Sequence, residues 1–273
     1  MTEKNKTQLS LLVIIFILFA FSNNLNLDTG SIIEGGRNSK DFIQEALPLD
    51  MSIFDAQPYP ICEKKIPFFC SVAWLGLSET FQMAYIATIL GFLLAIPLSV
   101  IASSNLNFGK FKFISRSILS FIRVLPSLVW AIFFVVAVGL GPLAGVLAMT
   151  IYTVGFLGKL QYEAFEGVSN HPIESARAIG MKKWQIVHHV VLPESANSLM
   201  SQLLFMLEYN MRHGAIIGLV GAGGIGYYLN LYLKLGIYDR VMSILMIMFV
   251  SVMLIDSISN SLRKKYFSSM GKK

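Results

Sequence analysis

Residues 171–195 read HPIESARAIGMKKWQIVHHVVLPES. Pro172 fits the first turn of a helix, where its missing N–H costs nothing, and Glu174 lies near that helix's positive end. Ala176, Arg177 and Ala178 are good helix formers, and Gly180 supplies a left-handed stop. A second amphipathic segment is expected over 181–191, with Trp184, Val187 and Val191 on one side at spacings of three and four. Pro193 then begins the next apolar stretch. The segment should fold as two short helices joined by a glycine turn. Such a pair suits docking into a groove on another protein. A loop lying on the inner leaflet of a membrane accounts for the same residues equally well.

Apolar runs flank this loop on both sides. Upstream, membrane spans are expected over 78–101, 114–138 and 143–160, and downstream over 196–219 and 238–257. The span over 143–160 is short for the roughly 20 residues that a bilayer core requires. A further run over 9–21 follows Lys4 and Lys6. It resembles a secretory signal but has no small-x-small cleavage site, so it is expected to remain as a first span. Pro126 should bend the third span near Leu125. Residues 227–236 are amphipathic and should re-enter or lie on the interface. Residues 25–77 form an extracytoplasmic and interfacial segment, 78–260 a membrane core with the polar loop at 161–195, and 261–273 a basic tail.

Composition supports this reading. Of 273 residues, 55% are hydrophobic and 14% charged, whereas soluble domains carry about 25% charged residues. The net charge of +6 lies mostly in short segments between apolar runs. That placement argues for lipid topology rather than nucleic acid. With both termini inside, the inner segments hold Lys110, Lys112, Lys159, Arg177, Lys182, Lys183 and the basic tail, while the outer set is smaller. The expected fold is all-α, a polytopic membrane protein of about six transmembrane helices.

Several residues invite a functional reading. Glu208 and Arg212 are four apart and can pair on one helix face, either as a structural ion pair or lining a pore. Arg123 can face a translocation path or snorkel. Gly221, Gly223, Gly224 and Gly226 follow a membrane helix rather than a strand, so an external turn or close helix packing is expected, not a dinucleotide site. Cys62 and Cys70 can form a disulfide if they face an oxidising compartment, and two ordinary thiols fit equally well. No metal cluster is expected from His171, His188 and His189, and no GxxxxGK[ST] loop is present for ATP.

The loop resembles the EAA loop of type I ABC importer permeases: E-A-A, three residues, Gly, nine residues, then I-x-L-P. Here it reads Glu174-Ser175-Ala176, Gly180, then Val190-Val191-Leu192-Pro193. The segments 121–168 and VGAGGIGYYL at 220–229 resemble the phosphonate importer permeases of the PhnE type, and the likeness runs over about 78–260. The resemblance implies a bacterial inner-membrane homodimer that forms the translocation pathway for phosphonate, phosphite or phosphate. It implies a cytoplasmic ATPase dimer carrying ATP and Mg, an extracytoplasmic binding protein, and no cofactor on this chain. It gives Glu174, Ser175, Ala176, Gly180, Leu192 and Pro193 the role of coupling to the ATPase.

Overall fold

The structure, a computed structural model, describes residues 29–56 and 66–264, with isolated positions between 11 and 21. The expected first span and Cys62 fall largely or wholly outside the described residues. The chain divides into two units, 1–49 and 50–273. In the first, α1 (Thr29–Ala46) is a polar, mostly exposed helix.

The second unit is built of helices: α2 (Val72–Ala102), α3 (Phe111–Val124), α4 (Ser127–Val138), α5 (Pro142–Glu166), α6 (Asn170–Ala178), α7 (Lys183–Ile186), α8 (Leu192–Gly218), α9 (Ile225–Leu235) and α10 (Tyr238–Leu262). Among the described residues α2, α5 and α10 are each long and apolar enough to cross a membrane. The α3–α4 pair passes the same test jointly. Leu90, Leu93, Leu94, Phe249, Leu254 and Ile258 are exposed, as a lipid-facing surface requires.

Four boundaries differ from the sequence reading. The second span begins at Val72, because Ser71 caps α2 by accepting from the Trp74 N–H at 3.2 Å. The boundary expected between 77 and 78 therefore falls inside this helix. The third span is two helices, α3 and α4, meeting at 87° around Leu125 and Pro126; Pro126 lacks the N–H needed to continue α3. The fourth continues to Glu166. Its polar end is absorbed by packing: Gln161 is fully buried, its Nε2 donates to Phe92 O at 3.3 Å, and its Oε1 lies 3.0 Å from Ser99 Oγ. The stretch 227–236 belongs to α9, which ends at Gly236 in a left-handed conformation.

The core is the pairing of α2 with α5. Ala84, Ala87, Ala95, Ala102, Ala144 and Ala148 are all fully buried. Where Gly91 faces Thr153 and Gly158 faces Leu119, a β-carbon has no room. Membrane helices associate through such small residues because lipid offers no hydrophobic drive between them. One polar knot joins three helices: Asn210 on α8 donates from Nδ2 to Thr88 Oγ1 on α2 at 2.9 Å and to Thr153 Oγ1 on α5 at 3.0 Å. Asn210→Leu keeps the branched outline and loses both bonds, so the protein should lose about 1–2 kcal/mol of stability. An SDS titration of the purified protein checks this, and an unchanged midpoint rejects the knot as a stabilising element.

The start of this unit is tied to α10. Asp50 Oδ2 accepts from Arg240 Nε at 2.8 Å, and Asp50 also accepts from the Ser52 hydroxyl and N–H. These bonds, those of Ser52 first, hold the Asp50 carboxyl below its ordinary range.

Candidate functional site: the polar loop and its supports

The loop's turn is a Schellman motif. The N–H of Met181 donates to Ala176 O at 3.1 Å and that of Gly180 to Arg177 O at 3.0 Å, closing the end of α6. Gly180 has φ +83°, where an L side chain is strained, and nothing stands within 4 Å of its would-be β-carbon. The requirement for glycine here is backbone conformation alone.

The second half of the loop is not a separate amphipathic helix. After α7 a π-helical turn, Val187–Val191, leads directly into α8. Pro193 follows directly on the π turn inside a continuous helix, where it leaves one backbone acceptor without its usual N–H. Trp184 does not share a side with Val187 and Val191: it is 62% exposed and they are buried. The inserted residue of the π turn shifts the helical phase between them.

The two faces of α6 are distinct. Ile173 and Ala176 point inward and pack with Val100, Leu106, Phe165, Val187 and Val191, and Leu192 packs against the same cluster. Ala176 is thus packed against its own chain, with 5% of its surface exposed. Ile173 and Ala176 are three apart, on the side of the helix that meets its own chain. Glu174, Ser175, Ile179 and Trp184 are exposed together with Pro193. Ile179 at 77% and Trp184 at 62% are large apolar groups facing outward, a pattern that marks an interaction surface.

Behind the loop stands a support that sequence reasoning missed. The turn between α2 and α3 lies against it. Arg177 donates from Nη2 to Asn105 O, and Lys183 Nζ donates to Asn107 O at 2.6 Å while lying over the Phe108 ring. Asn105 Nδ2 donates to Phe165 O at 2.7 Å. Arg116 pairs with Glu166, which also accepts from the Ser104 N–H at 2.6 Å. Arg116 further donates to Ala102 O at 2.9 Å and stacks over Tyr162. The loop is thus fixed to the ends of α2, α3 and α5 at once. Arg116 and Glu166 are 50 residues apart, so no local pattern signals the pair.

The remaining candidates lie elsewhere. Glu208 is buried and pairs with Arg212 at 2.9 Å, while Arg263 adds a second cation at 3.6 Å. Arg123 is exposed in the last turn of α3 and does not join this cluster. Beside the cluster, Tyr152 and Phe156 of α5 stack with Phe205, Tyr209 and His213 of α8, and Tyr209 donates its hydroxyl proton to Tyr152 at 2.8 Å. Gly221, Gly223 and Gly224 have φ of +86°, +85° and +71°, so the connection from α8 to α9 is irregular. Gly226 packs backbone to backbone against Ala215 and Gly218. Cys70 is buried.

Residues 89–268 match the family described as binding-protein-dependent transport system inner membrane component. The chain belongs to that family. Among curated relatives of this permease, the phosphite transport system permease protein PtxC of Stutzerimonas stutzeri is 32% identical over 245 residues, covering 88% of this chain and 82% of its own. The phosphate-import permease protein PhnE of Mycolicibacterium smegmatis is 33% identical, over 69% of this chain and 36% of its own. Of solved structures, the MetNI methionine ABC transporter superposes with a TM-score of 0.62 at 28% identity, over 70% of this chain and 95% of that one. A bacterial alginate ABC transporter, at 16% identity and a TM-score of 0.60 over 96% of the chain, shares the fold. The permease is therefore a multi-pass inner-membrane subunit with the type I ABC importer fold. ATP is hydrolysed on a separate subunit, and a binding protein serves the assembly.

Proposed function

We propose that this permease carries a phosphonate or a related phosphorus oxyanion, phosphite or phosphate, into the cell. The observation that carries this reading is the relative named for phosphite transport, which aligns over most of both chains. Relatives named for phosphate and phosphonate transport support the same chemical class. The phosphite or phosphate reading stands as the alternative within that class.

In this reading two copies of the permease enclose the pathway. Each has six spans with both termini in the cytoplasm: an N-terminal span within 1–24, an extracytoplasmic segment at 25–77 with a Cys62–Cys70 bridge, the core at 78–260 and a cytoplasmic tail at 261–273. The chain itself binds no cofactor, and ATP with Mg sits on a cytoplasmic ATPase dimer. The exposed face with Glu174, Ser175, Ile179 and Trp184 meets that ATPase, with Gly180 holding the turn and Leu192 and Pro193 leading into α8. Arg123 and Pro126 shape the pathway, and the glycine run 221–226 lies at its external end. A binding protein delivers the oxyanion from outside.

Labelling in intact cells tests the orientation. Lys64→Cys should react with an impermeant maleimide and Lys182→Cys should react only after permeabilisation. The reverse pattern overturns the topology. Uptake of radiolabelled methylphosphonate, phosphite and phosphate by cells expressing the whole transporter tests the substrate class. Uptake of none of them overturns it.

A further inference from the structure

We propose that a groove between α5, α8 and the end of α10 binds the phosphorus oxyanion at the cytoplasmic mouth of the membrane domain, with Arg263, the residue that follows α10, as its cationic anchor. The groove has a volume of about 390 Å³, within the roughly 300–1,000 Å³ of small-ligand pockets. Phe156 and Phe205 form apolar walls, and Ser198, Ser201, Gln202 and Arg263 supply the polar groups.

Charge makes the case. Glu208, with a side chain 8% exposed, faces Arg212 at 2.9 Å and Arg263 at 3.6 Å. One carboxylate between two guanidiniums leaves one positive charge over. The Arg212 side chain is 45% exposed and that of Arg263 27%, so the excess charge stands at the open side of the cluster, where an anion can meet it. Of the two arginines, Arg263 is the one held loosely by Glu208 and the one that lines the groove. Its contacts with described residues run through Nη2, to Glu208 and to Ser259 Oγ at 2.9 Å, and its Nε has no partner.

The hydrogen-bonding groups suit a partly protonated oxyanion. Gln202 donates from Nε2 to Leu160 O and to Ser198 Oγ, each at 3.1 Å. Ser198 thus acts as an acceptor there and keeps its own proton to give. Gln202 Oε1 has no partner. Arg263 Nε and Gln202 Oε1 are both covered by neighbouring atoms, so a side-chain rotation is needed to present them. A hydrogen phosphonate or phosphate offers anionic oxygens to the guanidinium and hydroxyls, and a P–OH to the Gln202 oxygen. Sulfate offers no such donor.

This inference rests on the substrate class proposed above, and the test separates the two. The complete transporter, with its ATPase and binding protein, is reconstituted in vesicles, and uptake of radiolabelled methylphosphonate, phosphite and phosphate is measured. Arg263→Gln should lower uptake roughly tenfold or more, with binding-protein-stimulated ATP hydrolysis retained, and Arg263→Lys should restore much of it. Glu208→Gln combined with Arg263→Gln distinguishes a purely structural pair. Restored uptake in the double variant overturns the site, and continued loss supports it. Ser201→Phe fills the groove while leaving every residue of the ion cluster unchanged, and it decides the matter if Arg263→Gln fails to assemble: loss of uptake with normal assembly supports the site and full uptake overturns it. If the wild type imports and Arg263→Gln imports equally, the site is wrong and the substrate class stands. If the wild type imports none of the three, the substrate class fails, and this site falls with it.

Discussion

Replacing Gly226 with valine should prevent the permease from reaching its folded state in the membrane. A β-carbon at Gly226 would run into the carbonyl of Ala215 and come within 2.9 Å of Gly218 Cα. Both obstacles are backbone, so no rotamer change relieves them, and α8 and α9 would have to separate. Overpacking of this kind costs roughly 3 kcal/mol or more, because neither helix can yield without breaking its own hydrogen bonds. Gly236 provides the control. Unlike Gly226 it has positive φ, at +70°, and it faces open space, so Gly236→Ala carries only local backbone strain, roughly 1–2 kcal/mol. Protein yield in membranes and SDS-unfolding midpoints of the two variants give the comparison. A Gly226→Val protein that accumulates and unfolds like the wild type would show that the α8–α9 contact is looser than described.

Gly180→Val should leave insertion normal and reduce transport. The space around Gly180 is open, so the penalty is confined to a left-handed backbone, about 1–2 kcal/mol. A shift of that size changes the population of the native turn by a factor of roughly 5–30. Asparagine tolerates this conformation better, so Gly180→Asn should retain more transport than valine. Glu174→Lys acts differently. Its side chain is exposed, so the fold should be unaffected while the surface offered to the ATPase reverses charge. Membrane insertion, ATPase association and substrate uptake are measured for each. Normal insertion with normal uptake in both Gly180→Val and Glu174→Lys would sink the coupling role of the loop.

The parts of this structure legible in the sequence are those that lipid or a single residue dictates. Long apolar runs announce α2, α5 and α10, because a bilayer tolerates little else. Gly180 and Pro126 announce a turn and a bend through their own backbone constraints. Helix ends were harder to read. Gln161 looks like the start of a polar loop, yet Ser99 and Phe92 satisfy its amide inside the bundle. The inward side of α6 is not legible because nine residues give little periodicity, and only the fold reveals that Ile173 and Ala176 meet Phe165. The pair Arg116–Glu166 and the approach of Arg263 to Glu208 join distant segments. Arg263 looked like one more basic residue of a tail, and nothing near it in sequence points to α8.

The π turn that carries α7 into α8 has a mechanical consequence. From Lys183 to Gly218 the chain is one unbroken helical rod of 36 residues. At a rise of about 1.5 Å per residue it reaches roughly 54 Å, longer than the roughly 30 Å hydrocarbon layer. Near one end the Schellman turn grips α6, and at the other Gly218 lies bare against Gly226. The rod is therefore built as an axle. Between its two ends the rod has no non-helical joint, and at its far end neither glycine has a side chain to interlock.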